Sequence, residues 1–256
     1  PDNKINCKAS AARMPFFMNK KMAAGLEKIL LQEQDNFHPV VPFAPAKDKF
    51  KLLDLSAANP AMTENVVNDL HAFTMYINKT ISNANARYGI GGYGEHRVIY
   101  SFSRVFDAKK AGEEPRRLHL GVDIWGRPNT PVMAPLNGIV HSVAFNHQPG
   151  DYGATIILTH RLQNSIFYTL YGHLSLNSIK NLHGGERVTK GDVIGEFGIP
   201  SENGGWPPHL HFQLIDDIGS CTGDYPGVCA LSEKDKWLTN SPDPSLVFQV
   251  DEFIEK

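Results

Sequence analysis

Apolar positions along the chain follow two different periods, and the change falls near residue 95. Between Asn19 and Gln34, Met22, Leu26, Ile29 and Leu30 recur at helical spacing with Lys and Glu between them, which predicts an amphipathic helix. The run His38-Pro39-Val40-Val41-Pro42-Phe43-Ala44-Pro45 reads as extended linker, because each proline disfavours helix at the residue before it. A second helix is predicted from about Pro60 to Asn83. Val66, Val67, Leu70, Phe73, Ile77 and Ile81 share its apolar face, and Asn59 before Pro60 is a start signal. The Gly89–Gly94 segment reads as a flexible junction. A phosphate-cradling loop is the alternative, but no clear strand precedes it and neither Lys-Ser nor Lys-Thr follows.

From residue 96 onward the pattern becomes short apolar runs separated by Gly and Pro. Strands are predicted at Val98 to Phe102, Pro131 to Phe145, Ala154 to Thr159, Ser165 to His173, Val193 to Phe197 and His209 to Ile215. The expected class is α+β: a helical N-terminal region over residues 1–95, then a mainly antiparallel, sandwich- or barrel-like sheet over residues 96–256.

Composition narrows the function classes more than the fold. Lys plus Arg (25) nearly balance Asp plus Glu (27), so no broad attraction to nucleic acid or anionic membrane is expected. No apolar run approaches the ~20 residues of a membrane span. The chain begins at Pro1 without the cationic and apolar stretches of a secretory signal. Cys221 and Cys229 are close enough in sequence to bridge, although two free thiols suit the same spacing, and Cys7 leaves an odd count.

The chemistry lies among the eleven histidines. His38, His71, His141, His147 and His183 are isolated, as suits plain polar side chains. In His119-Leu120-Gly121-Val122-Asp123, strand periodicity would put His119 and Asp123 on one face with only Gly121 between them, leaving space for an ion. The same rule places His209 and His211 together, with Leu210 and Phe212 opposite. His173 closes the strand Ile166 to Leu170 beside Gly172, where a side chain can reach into a site built by strands. Each arrangement alone also suits turns, salt bridges or packing.

Taken together and in order, these elements resemble the lysostaphin/LytM-type zinc endopeptidases that cut peptidoglycan. The resemblance covers about Pro115 to Asp217. It rests on His119-x-x-x-Asp123, Ala134-Pro135-Leu136-Asn137-Gly138-Ile139-Val140, Tyr171-Gly172-His173-Leu174, Val188-Thr189-Lys190-Gly191-Asp192-Val193-Ile194-Gly195 and His209-Leu210-His211-Phe212. It implies one Zn²⁺ per chain held by His119, Asp123 and His211, with His209 and His173 as the unligated catalytic pair. His209 is the favoured base because it shares a strand face with His211, and the reverse assignment stays open. His160 is expected to be structural. Residues 96–256 would then be the peptidase domain.

The implied partner is a peptide, in peptidoglycan stem peptides or cross-bridges, and the implied place of work is the periplasm or outside the cell. The absence of a visible signal leaves a cytoplasmic peptidase with another substrate open. Two other classes compete. A zinc-binding but silent scaffold shares the fold, and a lipoyl- or biotinyl-carrier domain shares the Ala134–Gly138 and Lys190–Gly195 phrases but has no use for the histidines. Trp125 and Trp206 either line the cleft or pack. The N-terminal region is expected to pack, to narrow the groove, or to occlude the metal through a residue such as Glu95 or His96.

Overall fold

The computed structural model describes residues 25–255 apart from 109, 111, 249, 251 and 252. The start of the helix predicted from Asn19, with Met22, lies outside the described residues, as does Cys7. Residues 25–32 are helical and bury Leu26 and Leu30 as the spacing requires. The helix predicted over Pro60–Asn83 is two helices, α1 (Glu64–Asn68) and α2 (Leu70–Asn83), because Asp69 adopts an extended backbone (φ −121°, ψ 112°) between them. Its carboxylate accepts from the Ala72 amide, so a residue expected mid-helix starts a new one.

The strands are β1 (Phe50–Leu53), β2 (Tyr88–Gly91), β3 (Arg116–His119), β4 (Val122–Trp125), β5 (Pro131–Met133), β6 (Gly138–Asn146), β7 (Gly153–Leu162), β8 (Ser165–Leu174), β9 (Arg187–Val188), β10 (Val193–Glu196), β11 (His209–Ile215), β12 (Val228–Ala230) and β13 (Ile254–Glu255). Nine of them form one sheet, ordered β13-β1-β2-β4-β11-β8-β7-β6-β9. Pairing is antiparallel except where β1 meets β2 and β13. β5 pairs with β10 and β3 with β12 in two small antiparallel sheets. The class is therefore the expected one: mainly antiparallel β, with helices before it.

Three expectations change. Val98–Phe102 is a 3₁₀ helix rather than a strand, followed by a second short one at Arg104–Phe106. The long run Pro131 to Phe145 is two strands, β5 and β6, in different sheets. The supposed glycine junction is in large part β2, fully buried and inserted between β1 and β4. Its glycines answer to close packing rather than flexibility. A Cβ on Gly89 would lie 2.5 Å from Leu53 Cδ1, and one on Gly91 2.8 Å from Arg97 Nη2.

β11 shows how the sheet positions the site. Leu210, Phe212 and Leu214 point into the main core with Ile124, Ile156, Leu158 and Tyr171, and Phe212 meets the Tyr171 ring at 5.3 Å and the Phe248 ring at 4.9 Å. The alternate residues, His209, His211 and Gln213, therefore share the opposite face, and they are buried too. His160, expected to be structural, sits in β7 and donates from Nδ1 to the Asn137 carbonyl (2.9 Å), while Nε2 accepts from the Thr169 hydroxyl (2.8 Å). Burial pushes it down to about 4, against the opposing pull of the Asn137 bond.

Phe212→Ala should lower unfolding free energy by about 3–5 kcal/mol in urea titrations, the usual cost of emptying a packed aromatic site. His160 remains neutral in the folded chain down to about pH 4, whereas in the unfolded chain it takes a proton below about 6.5. Its contribution is thus complete above pH 6.5 and lost as pH falls toward 4. The stability difference between wild type and His160→Gln should shrink over that window, as read from denaturation midpoints at successive pH values.

Candidate metal centre

The central strands β4, β11 and β8 carry the site. Register places His211 opposite Asp123 on β4 and opposite Gly172 on β8, and His209 opposite Trp125. Directly opposed residues on adjacent strands present their side chains to one face. His119 arrives differently from the single-strand expectation: it ends β3, in another sheet, and the chain turns through Leu120 and Gly121 before β4 begins. Gly121 leaves room for the His211 ring rather than for an ion, since a Cβ there would lie 2.7 Å from both Cε1 and Nε2 of that imidazole.

The outcome is a tight triangle. His119 Nε2 lies 2.9 Å from His211 Nδ1 and 3.3 Å from Asp123 Oδ1, and His211 Nδ1 lies 3.1 Å from that same oxygen. All three residues are buried, and together they form a group with metal-binding geometry. The hydrogen bonds around the rings assign their protons. His119 Nδ1 donates to the Gly92 carbonyl (3.1 Å), leaving Nε2 bare. His211 Nε2 donates to Gln213 Oε1 (3.0 Å), leaving Nδ1 bare. The Gln213 amide nitrogen is committed to Pro226 O and Ser241 Oγ, so its oxygen must face the histidine. Three lone-pair donors therefore point at one another with no proton between them. Such an arrangement is repulsive unless a cation lies among them. Ligand atoms around a tetrahedral ion with bonds of about 2.0–2.1 Å are about 3.3 Å apart, which this triangle approaches.

The other two histidines stand beside the triangle with the same wiring. His209 donates from Nδ1 to Pro207 O and His173 from Nδ1 to Asn203 O, each at 2.8 Å, so both Nε2 atoms are free to accept. The rings lie 4.1 Å apart between centroids, and His209 stacks on Trp125 at 3.9 Å and 18°. His209 Nε2 is 4.0 Å from Asp123 Oδ1. His173 holds a positive φ of 64°, a conformation uncommon for a non-glycine residue, fixed by its amide donating to Tyr152 O at 2.7 Å.

The electrostatics keep His119, His209 and His173 neutral. Burial, reinforced by Arg97, pushes His119 down to about 4, and burial likewise takes His209 to about 4 and His173 well below the ordinary value. Burial alone would raise Asp123, but the Arg97 guanidinium on Oδ2 outweighs it and holds the carboxyl well below the usual carboxylate range.

Every residue predicted from sequence as ligand or helper lies in this cluster. Trp125 and Trp206 both pack and flank it, with Trp206 about 6 Å from the His173 and His209 rings. Neither Glu95 nor His96 occludes the ligands: Glu95 binds Arg97 Nε and the Leu55 amide, and His96 is exposed. The cover comes instead from Tyr100 in the 3₁₀ segment, whose ring lies 6.3 Å from His119 and 6.1 Å from Trp206. Cys229 is a buried free thiol and so does not bridge Cys221, which is buried in a separate core cluster. Sequence reasoning missed Gln213, although it continues the His209–His211 face at period two. It also missed Arg97 and Tyr100, which no local pattern marked.

The Peptidase family M23 model matches residues 117–221. The L-Ala–D-Glu endopeptidase of Bacillus subtilis (strain 168) is 31% identical over 144 residues, covering 52% of this chain and 41% of that protein. An uncharacterized metalloprotease of Haemophilus influenzae is 37% identical over 98 residues, covering 38% of this chain and 18% of that protein. The chain thus spans less than half the length of these curated relatives. Among solved structures, the catalytic domain of the antimicrobial peptidase lysostaphin from Staphylococcus simulans aligns with 64% of this chain and 96% of its own, at 22% identity and a TM-score of 0.36. The segment similar to peptidase family M23, residues 117–221, contains His119, Asp123, His173, His209 and His211 in the order that the sequence resemblance required.

Proposed function

We propose that the chain is a zinc endopeptidase that hydrolyses peptide bonds in peptidoglycan stem peptides or cross-bridges. The observation that carries this reading is the meeting of three bare donor atoms, His119 Nε2, His211 Nδ1 and Asp123 Oδ1, beside two imidazoles whose Nε2 atoms are also unprotonated. Two nitrogens and one carboxylate oxygen form a donor set suited to Zn²⁺ with a further position left for solvent. When bound, the metal acts as a Lewis acid toward the scissile carbonyl and makes water a nucleophile near neutral pH.

The chain's own groups supply the proton handling. His209 Nε2 takes a proton from the attacking water, and the resulting imidazolium is stabilised by the Asp123 carboxylate nearby and by the Pro207 carbonyl at Nδ1. His173, 4.1 Å away between ring centres, then holds the second position, where it orients the water or, once protonated, donates to the oxyanion or leaving amine. Roles are exchangeable between the two because each has the same Nδ1 tether. Substrate class is drawn from the relatives: the Bacillus subtilis match is named for cutting an L-Ala–D-Glu bond. Periplasmic or extracellular work follows from such a substrate, and no helix among the described residues is long and apolar enough to cross a membrane.

One observation favours the alternative of a zinc-binding but silent module. The five site residues are only 1–6% exposed, so a peptide reaches them after the Tyr100–Trp206 cover shifts. Hydrolysis distinguishes the two readings. Zinc-loaded chain incubated with purified wall fragments should release peptides with one recurrent cleaved bond by mass spectrometry; full zinc loading without any cleavage would favour the silent module. His209→Ala and His173→Ala should each retain about one zinc per chain and lose roughly 10²–10⁴-fold in rate, the usual worth of acid–base help. His119→Ala and Asp123→Ala should lose both metal and activity. Equal metal loss in all four variants would refute the division between ligands and helpers.

A further inference from the structure

Asp123 has two carboxylate oxygens, and only Oδ1 faces the histidines. Oδ2 accepts from Nη1 of Arg97, a guanidinium that is only 1% exposed. Arg97 lies outside the family-matched segment, in the stretch between β2 and the 3₁₀ turns. Its Nε donates to Glu95 Oε2 at 2.6 Å, Nη1 also reaches the Tyr100 hydroxyl at 3.2 Å, and Glu95 Oε1 accepts from the Leu55 amide at 2.9 Å. The backbone is tied down as well: Arg97 N donates to Arg117 O, and His119 N to Glu95 O, each at 2.9 Å. Gly91 accommodates the guanidinium, since any Cβ there would collide with Nη2.

Resting on the metal reading above, we propose that Arg97, anchored by Glu95, is a positioning residue that fixes Asp123 as a one-oxygen metal ligand. Carboxylate rotation about its last torsion is soft, with a broad distribution of angles. With Oδ2 bound to the guanidinium, that rotation is stopped and Oδ1 stays 3.1–3.3 Å from both ligand nitrogens. The charge arithmetic fits the same role. Arg97 and Glu95 cancel, so the ion faces one net negative charge from its surroundings, that of Asp123. An isolated buried cation beside the metal would oppose binding, and Glu95 removes that opposition. Lysine cannot substitute fully, because a single ammonium lacks the planar fork that holds Glu95 through Nε and Asp123 through Nη1 together. The stretch carrying β2 and residues 92–97 is accordingly part of the metal site: Gly92 fixes the His119 tautomer, and Arg97 fixes the Asp123 orientation.

Zinc dissociation constants from competition with a chromophoric chelator test this on the full chain, at a temperature where circular dichroism shows each variant folded. Arg97→Gln should bind zinc about 10–100-fold more weakly, the range typical for loss of a group that orients a ligand. Arg97→Lys should recover part of that loss, and Glu95→Gln should weaken binding several-fold. Arg87→Gln, which breaks the partly exposed Arg87–Asp48 pair in another part of the chain, should leave affinity unchanged. A role confined to stability would lower the melting temperature of the Arg97 and Glu95 variants while leaving zinc affinity as in wild type, and that result would overturn the proposal. If Arg97→Gln fails to fold, wild-type affinity in both Arg97→Lys and Glu95→Gln would overturn it equally. A wild-type chain that holds no zinc would instead bring down the metal reading on which the proposal rests.

Discussion

Everything distinctive about this protein follows from mutual repulsion among unprotonated donors. Two imidazole nitrogens 2.9 Å apart, each made bare by a hydrogen bond on the far side of its ring, face a shared carboxylate oxygen. A fold holds such a cluster together only by committing many other groups to it. Three backbone carbonyls, those of Gly92, Pro207 and Asn203, and one side-chain amide fix the four tautomers. The central sheet supplies the precision: Asp123, His211 and Gly172 lie in one row across β4, β11 and β8. Burial completes the effect, keeping His119, His209 and His173 neutral and therefore able to act as ligands or bases rather than as cations.

Reading the sequence captured the parts of this that local periodicity controls. His209-Leu210-His211-Phe212 alternates cleanly, so its two faces could be assigned before any coordinates, and β11 runs from His209 to Ile215 as predicted. His119 and Asp123 do meet, but not through the single-strand geometry that periodicity suggests. The two residues sit on separate strands, and the glycine between them makes space for His211. Family order, rather than strand periodicity, carried that part of the reading.

What escaped the sequence was long-range in origin. Gly89 and Gly91 look like punctuation, yet they belong to a buried strand whose small residues admit Leu53 and Arg97. Val98–Phe102 has the apolar content of a strand, but it is a 3₁₀ turn that sets the Tyr100 ring beside His119. Arg97 sits in a stretch with no recognisable motif. Its importance comes only from the sheet that delivers Asp123 to it across 26 positions of sequence. Buried ion pairs of this kind have no periodic signature, because their partners are set by tertiary approach rather than by neighbours along the chain.

X-ray absorption at the zinc edge of the loaded protein tests the central claim most directly, since it counts donor types around the ion. Two imidazole nitrogens at about 2.0–2.1 Å together with oxygen donors, no sulfur, and one zinc per chain are the expected result. A sulfur shell, a single imidazole, or an all-oxygen environment would contradict the account.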